Sequence, residues 1–215
     1  VVIPEIRLTD NVELSAGTYV VNIQGVEVAR AQLQMDKTLI LLAEDSGASA
    51  PPGEDAAEPV YGAPARWIKP DLQEQAALSG MSVITPTEVV ATHLLELIKD
   101  NFGLLFSRRA MRKLLEEFVG VSDPARAAAN RRLLDEFIPD KAPIELVQGV
   151  LRRLLEEQVS VRNLPLILEA VAEGKQMTPR ADLIAEHVRR RLGFQLVAAH
   201  VEKDGALPMI QLSSD

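Results

Sequence analysis

The sequence has no cysteine among its 215 residues, only three histidines, and aromatic side chains at 4% of the chain. The lack of cysteine excludes disulfides, thiolate metal sites and cysteine nucleophiles, and it fits a reducing compartment. No apolar run approaches the roughly 18 residues that a transmembrane helix needs, and the chain does not open with a signal peptide. It begins with Val1 rather than Met, which predicts a piece of a longer polypeptide.

Positive charge is scarce as well, and the net charge is −8. Residues 1–100 hold 6 Lys and Arg against 15 Asp and Glu, a net charge of −9. Residues 101–215 hold 17 against 16, a net charge of +1. The acidic half would repel the phosphates of nucleic acids. The asymmetry predicts a boundary near residue 100.

Catalytic and metal-binding patterns are missing from the sequence. His93, His187 and His200 lie far apart, and none has a second ligand at metal-binding spacing. The adjacent carboxylates Glu116-Glu117 and Glu156-Glu157 point to different sides of a helix and cannot form a catalytic pair. We therefore expect no catalytic residues, no metal and no cofactor, so an enzyme is disfavoured.

Arginine pairs in the second half leave one alternative open, a helical regulatory or nucleic-acid-binding protein with an accessory α/β domain. Acidic residues at helical spacing favour ion pairs within the helices instead, as for Arg152 and Arg153 with Glu156-Glu157. No aromatic residues lie among the arginines to stack on bases. The arginine groups are Arg108-Arg109, Arg131-Arg132, Arg152-Arg153 and Arg189-Arg190-Arg191.

The first hundred residues combine strand and helix patterns. Gln24-Gly25 predicts the turn of a β-hairpin, and the acidic, Pro- and Gly-rich residues 44–58 predict a mobile loop, because they offer little apolar surface to bury. A short helix over 71–78 and a strand over 81–84 follow. β-branched or apolar runs predict strands at residues 6–8, 18–23, 26–31 and 38–42.

The helix after Ile84 has the strongest start signal in the chain. Thr85 and Glu88 form a capping box, with Pro86 at the first helical position. The helical pattern continues as far as Phe106. An apolar stripe is predicted from Val90, Leu94, Leu97 and Ile98.

From Ser107 onward the periodicity predicts five short helices, and Thr178-Pro179 predicts the start of the last one. The tail then predicts two strands, residues 195–201 and 209–212, around an Asp204-Gly205 turn. The fold class is therefore α+β. The predicted helices span 109–119, 125–137, 144–158, 161–173 and 181–192.

Two large aromatic residues lie close together near a Pro-flanked turn. Tyr61-Gly62 follows the acidic segment, which favours a partly exposed anchor for a partner. For Trp67, burial in the core and exposure in a docking surface are equally open. Together with the helix at Pro86, this region is typical of a docking surface.

Five phrases of the sequence resemble, in order and spacing, the flagellar and type III secretion export-gate family (the FlhA-like membrane proteins). Pro59-Val60-Tyr61-Gly62 resembles the family's P-x-[FY]-G, Ala65-Arg66-Trp67-Ile68 its A-x-W-I, and Thr92-His93-Leu94 its T-H-L. The other two are residues 151–164, similar to "LL-x-E-x-VSIRDL", and residues 167–172, similar to "ILE-[TA]-L-A". The resemblance covers nearly the whole chain.

The resemblance implies the C-terminal cytoplasmic domain of a bacterial inner-membrane protein, without its transmembrane half and without most of its last subdomain. Family members form a homo-oligomeric ring, usually of nine subunits, that receives export chaperones with their substrates and orders export. The ATPase complex and a second gate protein are further implied partners. Nucleic acid is not among the implied partners. Of the two branches, Tyr61-Gly62 and residues 89–94 favour the flagellar one.

The family's subdomain pattern implies a multi-subdomain arrangement along this chain. Residues 1–106 would form an α/β region with a hairpin and a small mixed sheet, in which a second small subdomain is inserted at residues 35–83. Residues 107–177 would form a compact helical subdomain. Residues 178–215 would begin a fourth, truncated α/β subdomain.

The resemblance also implies partner-binding residues. In flagellar members, chaperones dock in a shallow hydrophobic groove lined by an acidic residue, an aromatic residue three positions later and a Thr of the T-H-L helix. By position these are Glu58, Tyr61 and Thr92, with Gly62 completing the motif. Glu58 stands where the family usually has Asp, and Tyr61 where it usually has Phe.

Overall fold

The computed structural model describes residues 5–43, 50–198, 201 and 205–206. They fall into two compact units, an N-terminal unit of Glu5–Asp100 and a helical unit that begins at Asn101. Among the described residues, the N-terminal unit holds the strands and the first two helices, and the helical unit holds helices only. The predicted α+β class is confirmed. The finer division into subdomains stays a prediction.

A β-hairpin opens the N-terminal unit. Strand β1 (Thr18–Ile23) pairs antiparallel with β2 (Val26–Gln32). The connecting residues Gln24 and Gly25 both have positive φ, 52° and 84°, as the tight turns that match strand twist require. The predicted hairpin is confirmed. The predicted strand at residues 6–8 is wrong, because this segment has no strand partner.

A four-stranded antiparallel sheet follows, with β3 (Thr38–Leu41), β4 (Gly53–Ala57), β5 (Pro64–Ile68) and β6 (Val83–Ile84) in the order β4-β5-β3-β6. The strand predicted at 38–42 is confirmed as an interior strand. The mobile loop predicted over residues 44–58 is wrong for β4, which pairs with β5 along its whole length. Residues 44–49 lie outside the described residues.

The two faces of this sheet carry separate cores. Helix α1 (Gln73–Leu78), which follows a 3₁₀ turn at Pro70–Leu72, packs Ala76 on the face formed by Ile40 and Ile68. Helix α2 (Pro86–Asp100) packs Val89 on the opposite face. Because neighbouring residues of a strand point to opposite faces, α1 and α2 lie on opposite sides of the sheet. The buried residues of the α2 side are Leu33, Leu39, Ala65, Trp67 and Val89.

The predicted capping box fixes the start of α2. The Glu88 carboxylate accepts the Thr85 N–H at 2.8 Å, and the Thr85 hydroxyl accepts the Glu88 N–H at 3.3 Å. The helix ends at Asp100 rather than running on to Phe106, and a separate short helix, α3 (Phe102–Leu105), follows. The apolar stripe is partly wrong: Val90, Leu94 and Leu97 are only half-buried, and the buried residues are Val89, His93 and Ile98.

The five helices predicted after Ser107 are confirmed with small shifts at their ends. The fourth of them, α7, shows the reason. Asn163 caps it, its side chain accepting the Leu166 N–H, so the helix begins at Leu164 instead of Val161. The helices are α4 (Arg108–Val119), α5 (Pro124–Phe137), α6 (Ile144–Glu156), α7 (Leu164–Met177) and α8 (Ala181–Arg191). Their shared core is built mainly by α6, α7 and α8.

Two predictions about the end of the chain are wrong. Helix α8 begins at Ala181, as the predicted range 181–192 has it, but Thr178-Pro179 does not start the helix, because the Thr178 hydroxyl accepts the Arg180 N–H at 3.2 Å in the preceding turn. Residues 195–198 belong to a short helix, α9 (Gly193–Ala198), where we expected a strand. The predicted strand at 209–212 and the turn residue Asp204 lie outside the described residues.

Several arginines of the helical unit are held by acidic side chains. The predicted pairing within a helix is confirmed for Arg153, whose Nη1 lies 3.3 Å from the Glu156 carboxylate. Arg152 instead donates to the Phe106 carbonyl oxygen at 3.0 Å. Arg189 of α8 pairs with Glu157, the residue that follows the end of α6. In the described part of the chain, none of the helices is both long and apolar enough to cross a membrane.

Candidate docking site

The turn between β4 and β5 is built around the buried carboxylate of Glu58, which is 6% exposed. Its two oxygens accept the N–H groups of Val60 and Tyr61, each at 2.8 Å. The backbone closes the turn, since the Gly62 N–H donates to the Glu58 carbonyl oxygen at 2.9 Å and the Glu58 N–H to the Ala63 oxygen at 2.8 Å. Gly62 has a φ of 71°, a conformation that side chains with a Cβ rarely adopt. Glu58 therefore acts here as the internal brace of a rigid turn.

The Tyr61 side chain stands at the tip of this turn and is 72% exposed. Its hydroxyl lies close enough to the Glu96 carboxylate of α2 for the two groups to affect each other's pKa. Partial loss of hydration raises the pKa of Tyr61, and the negative charge of Glu96 raises it further. An exposed aromatic ring thus lies beside a neighbouring helix.

Glu96 also joins this ring to the charge pattern of α2. Its carboxylate lies 2.6 Å from the Lys99 ammonium group. That hydrogen bond lowers the pKa of Glu96 and raises the pKa of Lys99. The Tyr61 hydroxyl, the Glu96 carboxylate and the Lys99 ammonium group therefore form one connected polar cluster on the surface of the N-terminal unit.

Thr92 lies one helical turn before Glu96 on the same helix and is exposed. Residues four apart share a face and are separated by ~6 Å along the helix axis. Because Tyr61 contacts Glu96, the structure brings the turn of residues 58–63 next to the helix face that carries Thr92. The residue roles that the resemblance implies for this place stay predictions.

Beneath this surface, His93 and Tyr19 connect α2 to the hairpin. The Tyr19 hydroxyl lies 2.6 Å from Nδ1 of His93, and the two rings meet edge to face with centroids 5.8 Å apart. Burial raises the pKa of Tyr19 to about 12, and the charge of Glu58 adds to this effect. Glu58 is therefore close enough to Tyr19 for its negative charge to raise the pKa of the Tyr19 hydroxyl.

The two interpretations of Trp67 are decided in favour of the core. Its side chain is 4% exposed and packs with Leu39 and Val89 on the α2 side of the sheet. Tyr61 and Trp67 therefore separate, the first outward on a turn and the second inward on β5. The candidate docking surface therefore contains one aromatic ring, Tyr61, whereas the sequence was compatible with two.

Sequence analysis did not identify Glu96, Lys99 or Tyr19 as part of this region. For Glu96 a signal existed, because it stands four residues after Thr92 and three before Lys99, which predicts a shared helix face. Tyr19 is 74 residues from His93. No local pattern in the sequence points to that contact.

The other titratable groups show structural contacts. Nε2 of His187 lies 2.8 Å from the Glu173 carboxylate, and the same carboxylate accepts a hydrogen bond from Arg191. His200 lies outside the described residues. Within residues 5–43 and 50–198, no group of three or more His, Asp and Glu side chains could hold a metal ion.

The chain is similar in sequence and in fold to several known proteins. The flagellar biosynthesis protein FlhA of Caulobacter vibrioides is 37% identical over 214 residues, which is 100% of this chain and 29% of that protein. The fold is similar to that of the Chlamydia pneumoniae CdsV protein, with a TM-score of 0.70, 20% identity, and coverage of 92% of this chain and 55% of that chain. The nonameric EPEC SctV-C gives a TM-score of 0.59 at 19% identity, covering 89% of this chain and 55% of that chain.

The chain thus spans less than a third of the length of the curated relative it matches. A family model described as the FHIPEP family matches residues 1–215. The export-gate resemblance carried by the five sequence phrases is confirmed, and the chain belongs to the FHIPEP family.

Proposed function

We propose that this chain is a docking module of a flagellar-type protein export gate, which binds export chaperones with their substrates and orders their export. The observation that carries the proposal is the exposed Tyr61 ring, which lies near Glu96 beside the Thr92 face of α2. Exposed, rigid aromatic side chains are typical anchors of protein interfaces because they bury much area at little cost in entropy. Family membership and the relatives named FlhA support the flagellar assignment.

The proposal also states where the module acts and with which proteins it assembles. As part of an export gate, it would act on the cytoplasmic face of the bacterial inner membrane, attached to a membrane-spanning part of the whole protein. It would work in a homo-oligomeric ring, which the nonameric assembly of the similarly folded SctV-C supports, and alongside the ATPase complex and the second gate protein. Its role would be binding rather than catalysis, and the arginine ion pairs of the helical unit give little support to nucleic-acid binding.

Within the proposed site the four residues have different parts. Tyr61 supplies the anchor, and Thr92 supplies a small surface on which a partner can rest. Glu58 and Gly62 set the turn that presents Tyr61, Glu58 by accepting two backbone N–H groups and Gly62 by its left-handed backbone. Truncating Tyr61 or filling the space at Thr92 should therefore affect binding more than folding.

The test is titration calorimetry of the purified chain with a purified flagellar chaperone–substrate complex from the same organism. Tyr61→Ala should weaken binding by about 1–3 kcal/mol, the range of an aromatic hot spot. Thr92→Met, which adds bulk on an exposed helix position, should block binding with little change in the melting curve. Leu78→Ala is the matched control, because Leu78 is also an exposed apolar residue, 85% exposed, but belongs to α1 on the other side of the sheet. Unchanged affinity together with a collapsed melting temperature in Tyr61→Ala would make Tyr61 a structural residue and overturn the site.

A further inference from the structure

Helix α2 carries a regular acidic stripe through the proposed docking site. Glu88, Thr92, Glu96 and Asp100 follow one another at four-residue steps. Each step advances ~6 Å along the axis and ~40° around it, so the four positions form a ridge ~18 Å long that winds ~120° around the helix. Glu88, Thr92 and Asp100 are exposed and Glu96 is half-buried. Three carboxylates therefore flank the one small uncharged residue.

Asp100 stands where helix stability disfavours it. It is the last residue of α2, and an acidic side chain near a helix C-terminus faces the negative end of the helix dipole. Among the residues that the structure describes, Asp100 forms no hydrogen bond or ion pair, although its charge raises the pKa of Lys99. An acidic side chain at an unfavourable helix position is a candidate for a role in binding, because natural proteins break rules of local stability mainly at functional sites.

Little positive charge is available in the N-terminal unit to balance this stripe. Residues 1–100 contain six Lys and Arg against fifteen Asp and Glu, and four of the six are already bound to acidic side chains. Lys99 is one of these four, held by Glu96. Of the other two, Lys69 follows the far end of β5 from the Tyr61 turn, and Arg7 precedes the hairpin. The N-terminal unit therefore has a net negative charge, and only two of its cations lie outside these ion pairs.

A partner for this surface must cover an exposed aromatic ring and bring positive charge to a winding ridge of carboxylates. A helix with an apolar face meets the first need. Lys or Arg side chains at four-residue spacing on that helix meet the second, because they repeat at the same ~6 Å interval as the stripe. An acidic or neutral helix would leave the carboxylates unpaired or repelled.

We propose that the segment that docks on Tyr61 and Thr92 is a basic amphipathic helix, whose cationic side chains pair with Asp100 and Glu88 while its apolar face covers the Tyr61 ring. This inference rests on the proposed function and names the chemistry of its partner. The acidic stripe steers the encounter and sets the register of the helix, and the ring supplies most of the buried apolar area.

The experiment measures binding of the flagellar chaperone–substrate complex to the full chain by titration calorimetry at about 0.05 M and about 0.5 M salt, which changes the range of surface charges severalfold. Affinity should fall roughly tenfold at the higher salt. Asp100→Lys should weaken low-salt binding by roughly fivefold or more, while its melting temperature stays equal or rises, because the change also removes the unfavourable helix-end charge. Glu74→Lys is the matched control, since it makes the same charge change on α1, on the opposite side of the sheet, and should leave affinity unchanged.

The outcomes separate this inference from the proposed function. Binding that is insensitive to salt, or equally affected by Asp100→Lys and Glu74→Lys, would overturn the basic helix and leave the docking module in place. Failure of the unaltered chain to bind the complex at either salt concentration would overturn both. Sedimentation velocity on the same variants adds a third outcome: if Asp100→Lys changes self-association and not binding of the complex, the stripe belongs to contacts between copies and the inference is wrong.

Discussion

Thr92 and His93 are neighbours in the chain, but their side chains lie on different sides of α2. Thr92 is exposed, whereas His93 is 8% exposed and contacts Tyr19. A helix turns by ~100° per residue, so adjacent positions commonly separate in this way. The T-H-L phrase therefore combines one residue available to a partner with one that ties the helix to the hairpin.

The Tyr19 hydroxyl should make folding stability depend on alkaline pH. Its pKa is raised from 10.0 to about 12 in the folded protein, so the unfolded chain loses this proton first as pH rises. The stability that neutral Tyr19 confers is fully present below pH 10 and is lost between about pH 10 and 12. Tyr19→Phe should therefore show a shallower loss of stability over this window in denaturant titrations.

The second tyrosine of the chain supplies the control for this measurement. Tyr61→Phe removes a hydroxyl from a side chain that is 72% exposed, so it should change the pH slope less than Tyr19→Phe does. If Tyr19→Phe loses stability above pH 10 as steeply as the unaltered chain, the Tyr19 hydroxyl is not buried in the way the structure describes.

At this scale the sequence predicted some side-chain positions and missed others for a clear reason. The pairing of Arg153 with Glu156 follows from helical spacing alone, which is local information. The exposure of Tyr61 and the burial of Trp67 depend on where the β4–β5 turn ends and on the register of β5 against β3. Residues distant in the chain set both the turn and the register. The same holds for the contact between Tyr19 and His93.

Among the elements, β4 shows how pairing can override composition. Its sequence, Gly53–Ala57, is acidic and small, and composition predicts disorder for such a segment. It is nevertheless a strand, because β5 offers a free edge and Arg66 reaches across to it. Nε of Arg66 lies 2.6 Å from the Asp55 carboxylate, and Nη1 donates to the Pro51 oxygen at 3.2 Å. The start of α2, in contrast, was predictable because a capping box is encoded within four residues.

Arg66→Ala should therefore loosen β4. The Arg66 side chain is only 17% exposed, so losing its ion pair and its hydrogen bond to the backbone should cost about 1–2 kcal/mol of unfolding free energy. Hydrogen exchange of the amides in residues 53–57 should become faster at the same time, because an edge strand opens more easily once its ion pair and side-chain hydrogen bond are lost.

Arg30→Ala is the matched control for this change, because Arg30 also pairs with an acidic side chain, Glu27, but on an exposed surface. Its effect on stability should be close to zero. Fast exchange across residues 53–57 in the unaltered protein, or equal effects of the two substitutions, would show that β4 does not depend on Arg66.

At the scale of the whole molecule, the boundary between the two units coincides with a change in charge. The N-terminal unit carries the acidic excess, and the helical unit is close to neutral. The family and the helix content could be predicted from the sequence, because motifs and helical periodicity are local. The short helix Gly193–Ala198 could not, since the apolar pattern of residues 195–198 fits a strand as well as a helix.

Each unit has its own core, so fragments of residues 5–100 and 101–215 should fold separately. Nineteen buried apolar residues of the helical unit form one cluster, whereas the N-terminal unit divides its buried residues between two smaller clusters on opposite sides of its sheet. Because larger continuous cores bury more apolar area per residue, the fragment of residues 101–215 should melt at the higher temperature. Circular dichroism melts of both fragments and of the whole chain would test this, with a cooperative transition expected for each fragment and a strongly helical spectrum for the second. A fragment without a cooperative transition, or a higher melting temperature for residues 5–100, would show that core size does not set the stability of these units.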